Sequence, residues 1–229
     1  MFTKNIYFPH GKYKPDSQVS ILNYAKKTIG KNLLEVCKEE EREPFVMQEI
    51  MDRDFKWIPG HKGNSGTSFG SLYEEFYFGF QNPASEPDFS EASLELKTAG
   101  IQKDKDGYRA KEPRITLSAV SKKTIIDEEF ETSNFIKKNK EILIMLFEDQ
   151  ENPSLYHPIH RKVLFVDIWK LDGKNYSIIK NDWEIIRDKV RKDEKLSLGD
   201  TKNLGTVVNG TRFDFKGEFL NEIIKKITT

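Results

Sequence analysis

Residues 85–100 read SEPDFSEASLELKTAG, and this stretch places a strand signal next to several charged residues. Within it, SLELKTA alternates between apolar and polar letters, which predicts a β-strand. Side chains alternate across a strand, so Leu94 and Leu96 face the core together. Glu95 and Lys97 then share the opposite face, where we expect them side by side at a surface.

The residues before this strand add a second carboxylate. Pro87 holds its own φ and biases its predecessor toward extended geometry, so Asp88 follows a stiff lead-in. If FSEAS folds back as a turn or hairpin, Asp88 can meet Glu95. The stretch is then either an ordinary charged strand edge or a metal site that cuts phosphodiester bonds.

The metal interpretation has a physical basis. Two carboxylates at one point raise each other's pKa unless a cation neutralises them, and Mg²⁺ does so with few protein ligands. A bound water becomes the nucleophile, and the metal stabilises charge that builds on a phosphate. A lysine two residues on, Lys97, is placed to orient or deprotonate that water or to hold the phosphate. The triplet Glu-x-Lys is common by chance in a chain this rich in both residues, so alone it leaves both interpretations open.

The rest of the chain predicts an α/β or α+β domain with a mixed sheet flanked by helices. A helix is expected from the capping Ser17 to Gly30, and another is closed by Gly79. Residues 193–213 are predicted as loop or weak strand. The remaining predicted helices are NLLEVCKEEE, NDWEIIRDKVRK and GEFLNEIIKKI. The other three predicted strands are RITLSAVS, EILIMLFE and KVLFVDIWKL, which gives four strands in total.

Composition fits one globular domain over residues 1–229. The 37 basic and 37 acidic residues cancel, so a nucleic-acid partner would depend on local clustering of charge. A single cysteine, Cys37, excludes an intramolecular disulfide and is expected to be a small buried apolar residue. No apolar run reaches the roughly 18 residues of a membrane span, and the first residues lack a signal-peptide core. A cytoplasmic protein with no membrane partner is expected.

Several ordered motifs together resemble the MutH family, which contains mismatch-repair endonucleases and the GATC-cutting type II restriction endonucleases of the Sau group. The segment SEPDFSEASLELKT is similar to the active-site segment of that family. Upstream, HKGNSGTSFGSLYEEFYFG resembles the family's Lys-Gly loop and glutamate-bearing helix. Downstream, FETSNFIKKNK and EILIML resemble its aromatic-Glu-Thr-Ser segment, second lysine and buried strand. NDWEIIRDKV resembles its acidic-tryptophan helix. The resemblance implies a restriction-endonuclease core of two lobes around a DNA cleft.

Carried over residue by residue, the resemblance implies that Asp88 and Glu95 are ligands for Mg²⁺. It also implies that Lys97 is the catalytic lysine. Glu74 falls on the family's helix glutamate and would support the site, and Glu75 is the rival when one counts back from the closing glycine.

The resemblance also marks lysines outside the strand. Lys138, eight residues after an aromatic, falls on the family's second active-site lysine. Its neighbours Lys137 and Lys140 are expected to be phosphate contacts or solvated charges. Lys62 and Gly63 match the family's Lys-Gly loop near DNA, for which the alternative is a plain surface turn.

The function implied is a Mg²⁺-dependent type II restriction endodeoxyribonuclease domain acting on double-stranded DNA at GATC-type sites, most like the N-terminal catalytic domain of the Sau group. A mismatch-repair nicking enzyme and a non-catalytic DNA-binding or allosteric module are the alternatives. The match fades after residue 200, so the chain is expected to be a fragment of a longer protein. We expect a monomer in free solution that uses a second copy on DNA or a missing C-terminal domain.

Overall fold

The computed structural model of the chain describes residues 9, 11–56, 68–80, 86–111, 114–149, 157–197, 199–207 and 212–229. The helices, α1 to α7 in chain order, are Gln18–Lys26, Leu33–Glu39, Pro44–Lys56, Phe69–Leu72, Asn134–Asn139, Gly173–Arg191 and Gly217–Thr228. The strands, β1 to β7, are Glu95–Asp104, Gly107–Ala110, Arg114–Ala119, Glu141–Glu148, Val163–Lys170, Leu204–Val207 and Arg212–Lys216. Within this part of the chain, no helix is both long and apolar enough to cross a membrane.

The strands form two sheets. The larger sheet has the order β2-β1-β4-β5, with β1 and β4 parallel and the other two pairs antiparallel. The smaller sheet is antiparallel with the order β3-β7-β6. The predicted α+β class with a mixed sheet flanked by helices is confirmed. The four predicted strands do not all lie in one sheet, because β3 belongs to the smaller sheet. The strand β2 was not predicted, and β6 falls in the segment predicted as loop or weak strand.

The larger sheet is buried on both faces, which explains why the sequence of β4 is a continuous apolar run. Every residue from Ile142 to Phe147 is buried. Leu143, Met145 and Phe147 enter a first core together with residues of α1 to α4. The intervening residues of β4 enter a second core, which the smaller sheet and α5 to α7 share.

Several helix boundaries differ from those predicted. Ser17 caps α1 by accepting a hydrogen bond from the backbone N–H of Ser20, as its sequence indicates. The helix ends before Gly30, and Val19 within it is exposed. The helix α3 was not predicted, and α6 begins well before the predicted NDWEIIRDKVRK segment.

The first half of β1 is where the fold leaves room for a site. β2 pairs only with Ile101–Asp104, so among the described residues no strand borders the start of β1 on that side. The helix α4 and the π-helical turn that follows it, Tyr73–Phe78, lie against this edge. A Cβ at Gly70 would stand 3.1 Å from Thr98 Oγ1 and 3.7 Å from Glu74 Oε1. The missing side chain therefore allows α4 to approach the strand closely.

Candidate active site

A tight turn brings Asp88 back onto the start of β1. The backbone N–H of Phe89 donates to the carbonyl of Leu94 at 2.9 Å, and the N–H of Leu94 donates to the carbonyl of Phe89 at 3.2 Å. Between them lies one turn of 3-10 helix, closed by Ser93 in the left-handed region at φ 51°. The sequence-based expectation that this segment folds back is confirmed.

The turn places the two predicted metal ligands in direct contact. The backbone N–H of Asp88 donates to Glu95 Oε2 at 3.2 Å, and Asp88 Oδ2 accepts a hydrogen bond from the N–H of Leu96 at 3.0 Å. Asp88 is 6% exposed and Glu95 is 1% exposed. The expected surface position of Glu95 is therefore wrong, because the Asp88 turn and neighbouring lysines pack around its carboxylate.

Two lysines converge on the same carboxylate oxygen. Lys97 Nζ lies 2.7 Å from Glu95 Oε1, and Lys138 Nζ lies 3.6 Å from that atom. Lys97 comes from the same face of β1, and Lys138 comes from α5, whose first turn is capped by Ser133. Both predicted active-site lysines are thus brought to Glu95.

The structure also separates the two candidate glutamates on the π-helical turn. Burial raises the pKa of Glu74, the nearby Glu95 carboxylate raises it further, and Lys97 and Lys138 oppose the shift. Glu74 therefore interacts electrostatically with the other charged groups of the site. Glu75 instead accepts a bidentate pair of bonds from the Arg53 guanidinium, at 2.8 and 2.7 Å. Glu74, not its neighbour, joins Asp88 and Glu95 in a set that we name the carboxylate cluster.

The carboxylate cluster holds a proton unusually tightly. Burial, followed by repulsion from Glu95 and Glu74, raises the pKa of Asp88 to about 7. Lys97 and the backbone N–H of Leu96 act in the opposite direction without cancelling the shift. The cluster therefore carries more negative charge than its own surroundings neutralise.

This donor set fits Mg²⁺ better than zinc. Magnesium is commonly held by one or two carboxylates and keeps several waters, and Asp88 and Glu95 supply two adjacent, charge-rich carboxylates. Zinc sites use three or four protein ligands. In the described ranges no group of three or more His, Cys, Asp or Glu side chains is arranged to hold a metal. Asp88 and Glu95 are the side chains that would hold a magnesium ion.

The segment of the chain that contains most of the candidate site also matches known proteins. Residues 79–182 match the family model described as DNA mismatch repair enzyme MutH. The type II restriction enzyme Sau3AI of Staphylococcus aureus is 28% identical over 193 residues, which cover 83% of this chain and 35% of that protein. The chain is MutH-like. It is related to Sau3AI and spans about a third of the length of that enzyme.

A second relative has a different role. The DNA mismatch repair protein MutH of Vibrio campbellii (strain ATCC BAA-1116) is 25% identical over 174 residues, covering 76% of this chain and 67% of that protein. The family-matched segment contains Asp88, Glu95, Lys97 and Lys138, whereas Glu74 lies before its start. The MutH-like match and the convergence of side chains therefore coincide along the chain.

The predicted DNA contacts of the MutH-like chain that the structure describes lie on its surface. Lys137 and Lys140 are exposed and line a cavity of about 440 Å³, together with residues of the Asp88 turn. Lys62 and Gly63 lie outside the described residues. Both exposed lysines therefore share a cavity with Pro87, Ser90 and Ser93 of the segment around Asp88.

The lone cysteine plays no part in this site. Cys37 is buried in the first core, as expected, and burial raises the pKa of its thiol to about 12. A thiol held in its protonated form is a poor nucleophile and a poor metal ligand. Its role is packing.

Sequence reasoning overlooked two residues that shape the site. Gly70 lets α4 approach β1, and Asn139 lies directly after Lys138 with its side chain fully buried. The glycine had a local signal, since it falls in the motif that resembles the family's glutamate-bearing helix. Asn139 had none, because it lies in a run of polar letters that predicts a solvated helix face.

Proposed function

We propose that this MutH-like chain is the catalytic domain of a Mg²⁺-dependent type II restriction endonuclease that hydrolyses phosphodiester bonds of double-stranded DNA. The observation that carries the proposal is the convergence of Asp88, Glu95, Lys97 and Lys138 at the start of β1. Recognition of GATC-type sites is part of the proposal, because the resemblance to the Sau group implies it.

The chain's own residues have separate roles in this proposal. Asp88 and Glu95 would hold a magnesium ion, which would supply a polarised water and stabilise negative charge on the phosphate. Lys97, already 2.7 Å from Glu95 Oε1, orients that water or holds a phosphate oxygen. Lys138 adds a second positive charge on the same side of Glu95. Glu74 interacts electrostatically with both lysines and would support the site.

Restriction is favoured over repair because the alignment with Sau3AI covers more of the chain at higher identity than the alignment with the Vibrio protein. The second candidate is a mismatch-repair nicking enzyme, which the MutH family model favours. A non-catalytic DNA-binding module is the weakest candidate, because it has no use for a buried carboxylate pair in contact with a lysine.

The proposal is tested by incubating unmethylated plasmid with the purified chain and Mg²⁺, and then mapping the ends. Discrete fragments that begin or end at GATC are expected, with no cutting in EDTA. Glu91→Gln is a matched control, because Glu91 is an exposed carboxylate on the same turn as Asp88. Cleavage without Mg²⁺, or cutting unaffected by Glu95→Gln, would contradict the proposed chemistry. Cutting only after mismatch-repair partners are added would favour the repair candidate.

A time course of the same reaction tests how both strands are cut. One site attacks one strand at a time, whereas a palindrome presents two equivalent phosphates. We expect a monomer in sedimentation, nicked circles before linear DNA, and linearisation that rises more than proportionally with protein concentration. Linear DNA without a nicked intermediate, from a stable dimer in solution, would contradict this. The second cut requires either a second copy on the DNA or one copy that nicks, releases and turns round. If a C-terminal domain of a longer chain supplies assembly, this chain alone should be slow.

A further inference from the structure

The last turn of α5 carries two neighbouring side chains with different partners. Lys138 reaches Glu95 at 3.6 Å. Asn139, the next residue, is completely buried, and its amide nitrogen donates to Ser118 Oγ of β3 at 2.8 Å and to the carbonyl of Phe135 at 2.9 Å. One residue therefore ties α5 to the smaller sheet while its neighbour touches the candidate active site.

The side-chain orientation of Asn139 is fixed by what it contacts. The carbonyl of Phe135 can only accept, so the amide nitrogen of Asn139 must face it. Asn139 Oδ1 is then left buried, with no hydrogen-bond partner in the portion of the chain that the structure describes. A buried acceptor without a partner lowers stability. A leucine of similar size would avoid that cost, so stability alone does not explain an amide at this position.

The position of Lys138 depends on few anchors. The helix α5 has only six residues, and a helix this short is not stable by itself. It is held by its Ser133 cap, by Phe135 and Ile136 in the second core, by the Lys140 carbonyl, which accepts from the N–H of Leu171 at 2.8 Å, and by the bond from Asn139 to Ser118. The last of these anchors is the nearest along the chain to Lys138. A displacement of about 1 Å at a reacting group can lower a rate by roughly 100-fold.

We propose that Asn139 is a positioning residue for the nuclease reaction, and that its bond to Ser118 fixes Lys138 against Glu95. This inference rests on the proposed function, because it assigns Lys138 to the chemistry. It also links β3, a strand of the smaller sheet, to a lysine of the carboxylate cluster through one side chain.

The test replaces Asn139 by leucine and compares single-turnover DNA cleavage, DNA affinity and melting temperature. For Asn139→Leu we expect an unchanged or higher melting temperature, unchanged DNA affinity, and a cleavage rate lower by roughly 10-fold or more. In a Lys138→Ala background, Asn139→Leu should cause no further loss of rate but the same change in melting temperature. Asn134→Leu is the matched control, because Asn134 is exposed on the same helix and bonds to Glu128 instead.

Two outcomes overturn the proposal. One is parental cleavage by a folded Asn139→Leu protein, and the other is an equal loss of rate in the Lys138→Ala background. If Asn139→Leu does not fold, Ser118→Ala removes the other end of the same bond at a partly exposed residue and is judged by the same criteria.

A protein that cuts no DNA would refute the proposed function, and a second measurement then decides the role of Asn139. The side-chain ammonium resonance of Lys138, assigned by its absence from Lys138→Arg, should be that of an ordered group in the parent. It should move toward the averaged shift of exposed lysines in Asn139→Leu and in Ser118→Ala. An unchanged resonance in both variants overturns the positioning role.

Discussion

Glu74 and Glu75 are neighbours on one π-helical turn, yet their carboxylates have different charged partners. Both oxygens of Glu75 accept hydrogen bonds from the Arg53 guanidinium, which also contacts Glu49. Glu74 shares Lys97 and Lys138 with two other carboxylates, and its pKa is raised by burial and by Glu95. A carboxylate neutralised by one partner stabilises the fold, whereas the carboxylate cluster has more carboxylates than lysines. That imbalance is what a bound cation would correct.

The largest expected effect is loss of cleavage when a cluster ligand is neutralised. Asp88→Asn or Glu95→Gln should reduce DNA cutting below detection, because each removes a carboxylate that would hold the metal of the proposed reaction. Circular dichroism should show a retained fold. Glu91→Gln, on the same turn but exposed, should cut as the parent does. Near-parental cutting by either cluster variant would show that the excess of carboxylates over lysines is not needed for cleavage.

The next effect concerns the lysine that is closest to the cluster. Lys97→Ala should lower the single-turnover rate by roughly 10²-fold or more while DNA affinity is retained, since an oriented cation acts mainly on the transition state. Rates and affinities can be measured on one labelled duplex. If binding weakens and the rate at saturating protein does not change, Lys97 is only a phosphate contact.

Three lysines near α5 distinguish the cluster from a general basic surface. Lys138→Ala should impair cleavage more than Lys137→Ala or Lys140→Ala, because only Lys138 is shown in contact with Glu95, and the other two are exposed. The loss for the exposed pair should be small and should depend on salt concentration. Equal, salt-dependent losses in all three variants would reduce Lys138 to part of that surface.

A smaller effect is expected in stability as a function of pH. The folded protein raises the pKa of Asp88 to about 7, whereas an unfolded chain titrates this group near its ordinary value of about 4. The folded state therefore binds the extra proton, so its contribution to stability is complete below about pH 4 and is lost as pH rises through about 7. At about 1.4 kcal/mol per unit of pKa, the loss is of order 4 kcal/mol.

Denaturant unfolding of the metal-free protein between pH 4 and 8 measures this loss, and Asp88→Asn should flatten the curve. Some slope will remain, because burial also raises the pKa of Glu74 and of Asp214. Mg²⁺ should stabilise the parent more at pH 8 than at pH 5. Identical curves for parent and Asp88→Asn would contradict the origin of the shift.

The smallest changes in stability and cleavage are expected when Glu74 or Glu75 is neutralised. Glu75→Gln should lower the free energy of unfolding by about 2 kcal/mol. This is less than for a fully enclosed pair, because the Arg53 side chain is 28% exposed. Glu74→Gln should leave stability unchanged or slightly raised, since it removes a partly buried charge, and should slow cleavage. Urea unfolding and plasmid cutting on both variants suffice. If the two effects are exchanged, the assignment of the two glutamates is wrong.

The parts of this fold that follow from local patterns could be predicted. The alternation of β1, the apolar run of β4 and the residues of the Asp88 turn are all visible in short windows of sequence. The resemblance assigned Glu74, whereas counting back from Gly79 pointed to Glu75, because a π-helical turn alters the helical register on which counting relies. The burial of Glu95 depends on α5, which lies far along the chain.

The errors in the sheets have the same cause. β3 alternates as an ordinary strand does, but its partner β7 lies about a hundred residues later, and no local signal identifies that pairing. β6 and β7 have only four and five residues and lie in a polar, glycine-containing segment, so their windows favour a loop or a weak strand. The helix α3 was overlooked although its signal is present, with Pro44 at the first helical position and Val46 and Ile50 four residues apart.

The Asp88 turn also determines the order in which this site is assembled during folding. Its hydrogen bonds close a loop of only a few residues, and such loops close rapidly and lose little chain entropy. Lys138 arrives only after the parallel pairing of β1 with β4, a long-range step that is intrinsically slow. The two carboxylates therefore meet before their second lysine is present. During that interval protons, dissolved cations and Lys97 are what limit the repulsion between Asp88 and Glu95.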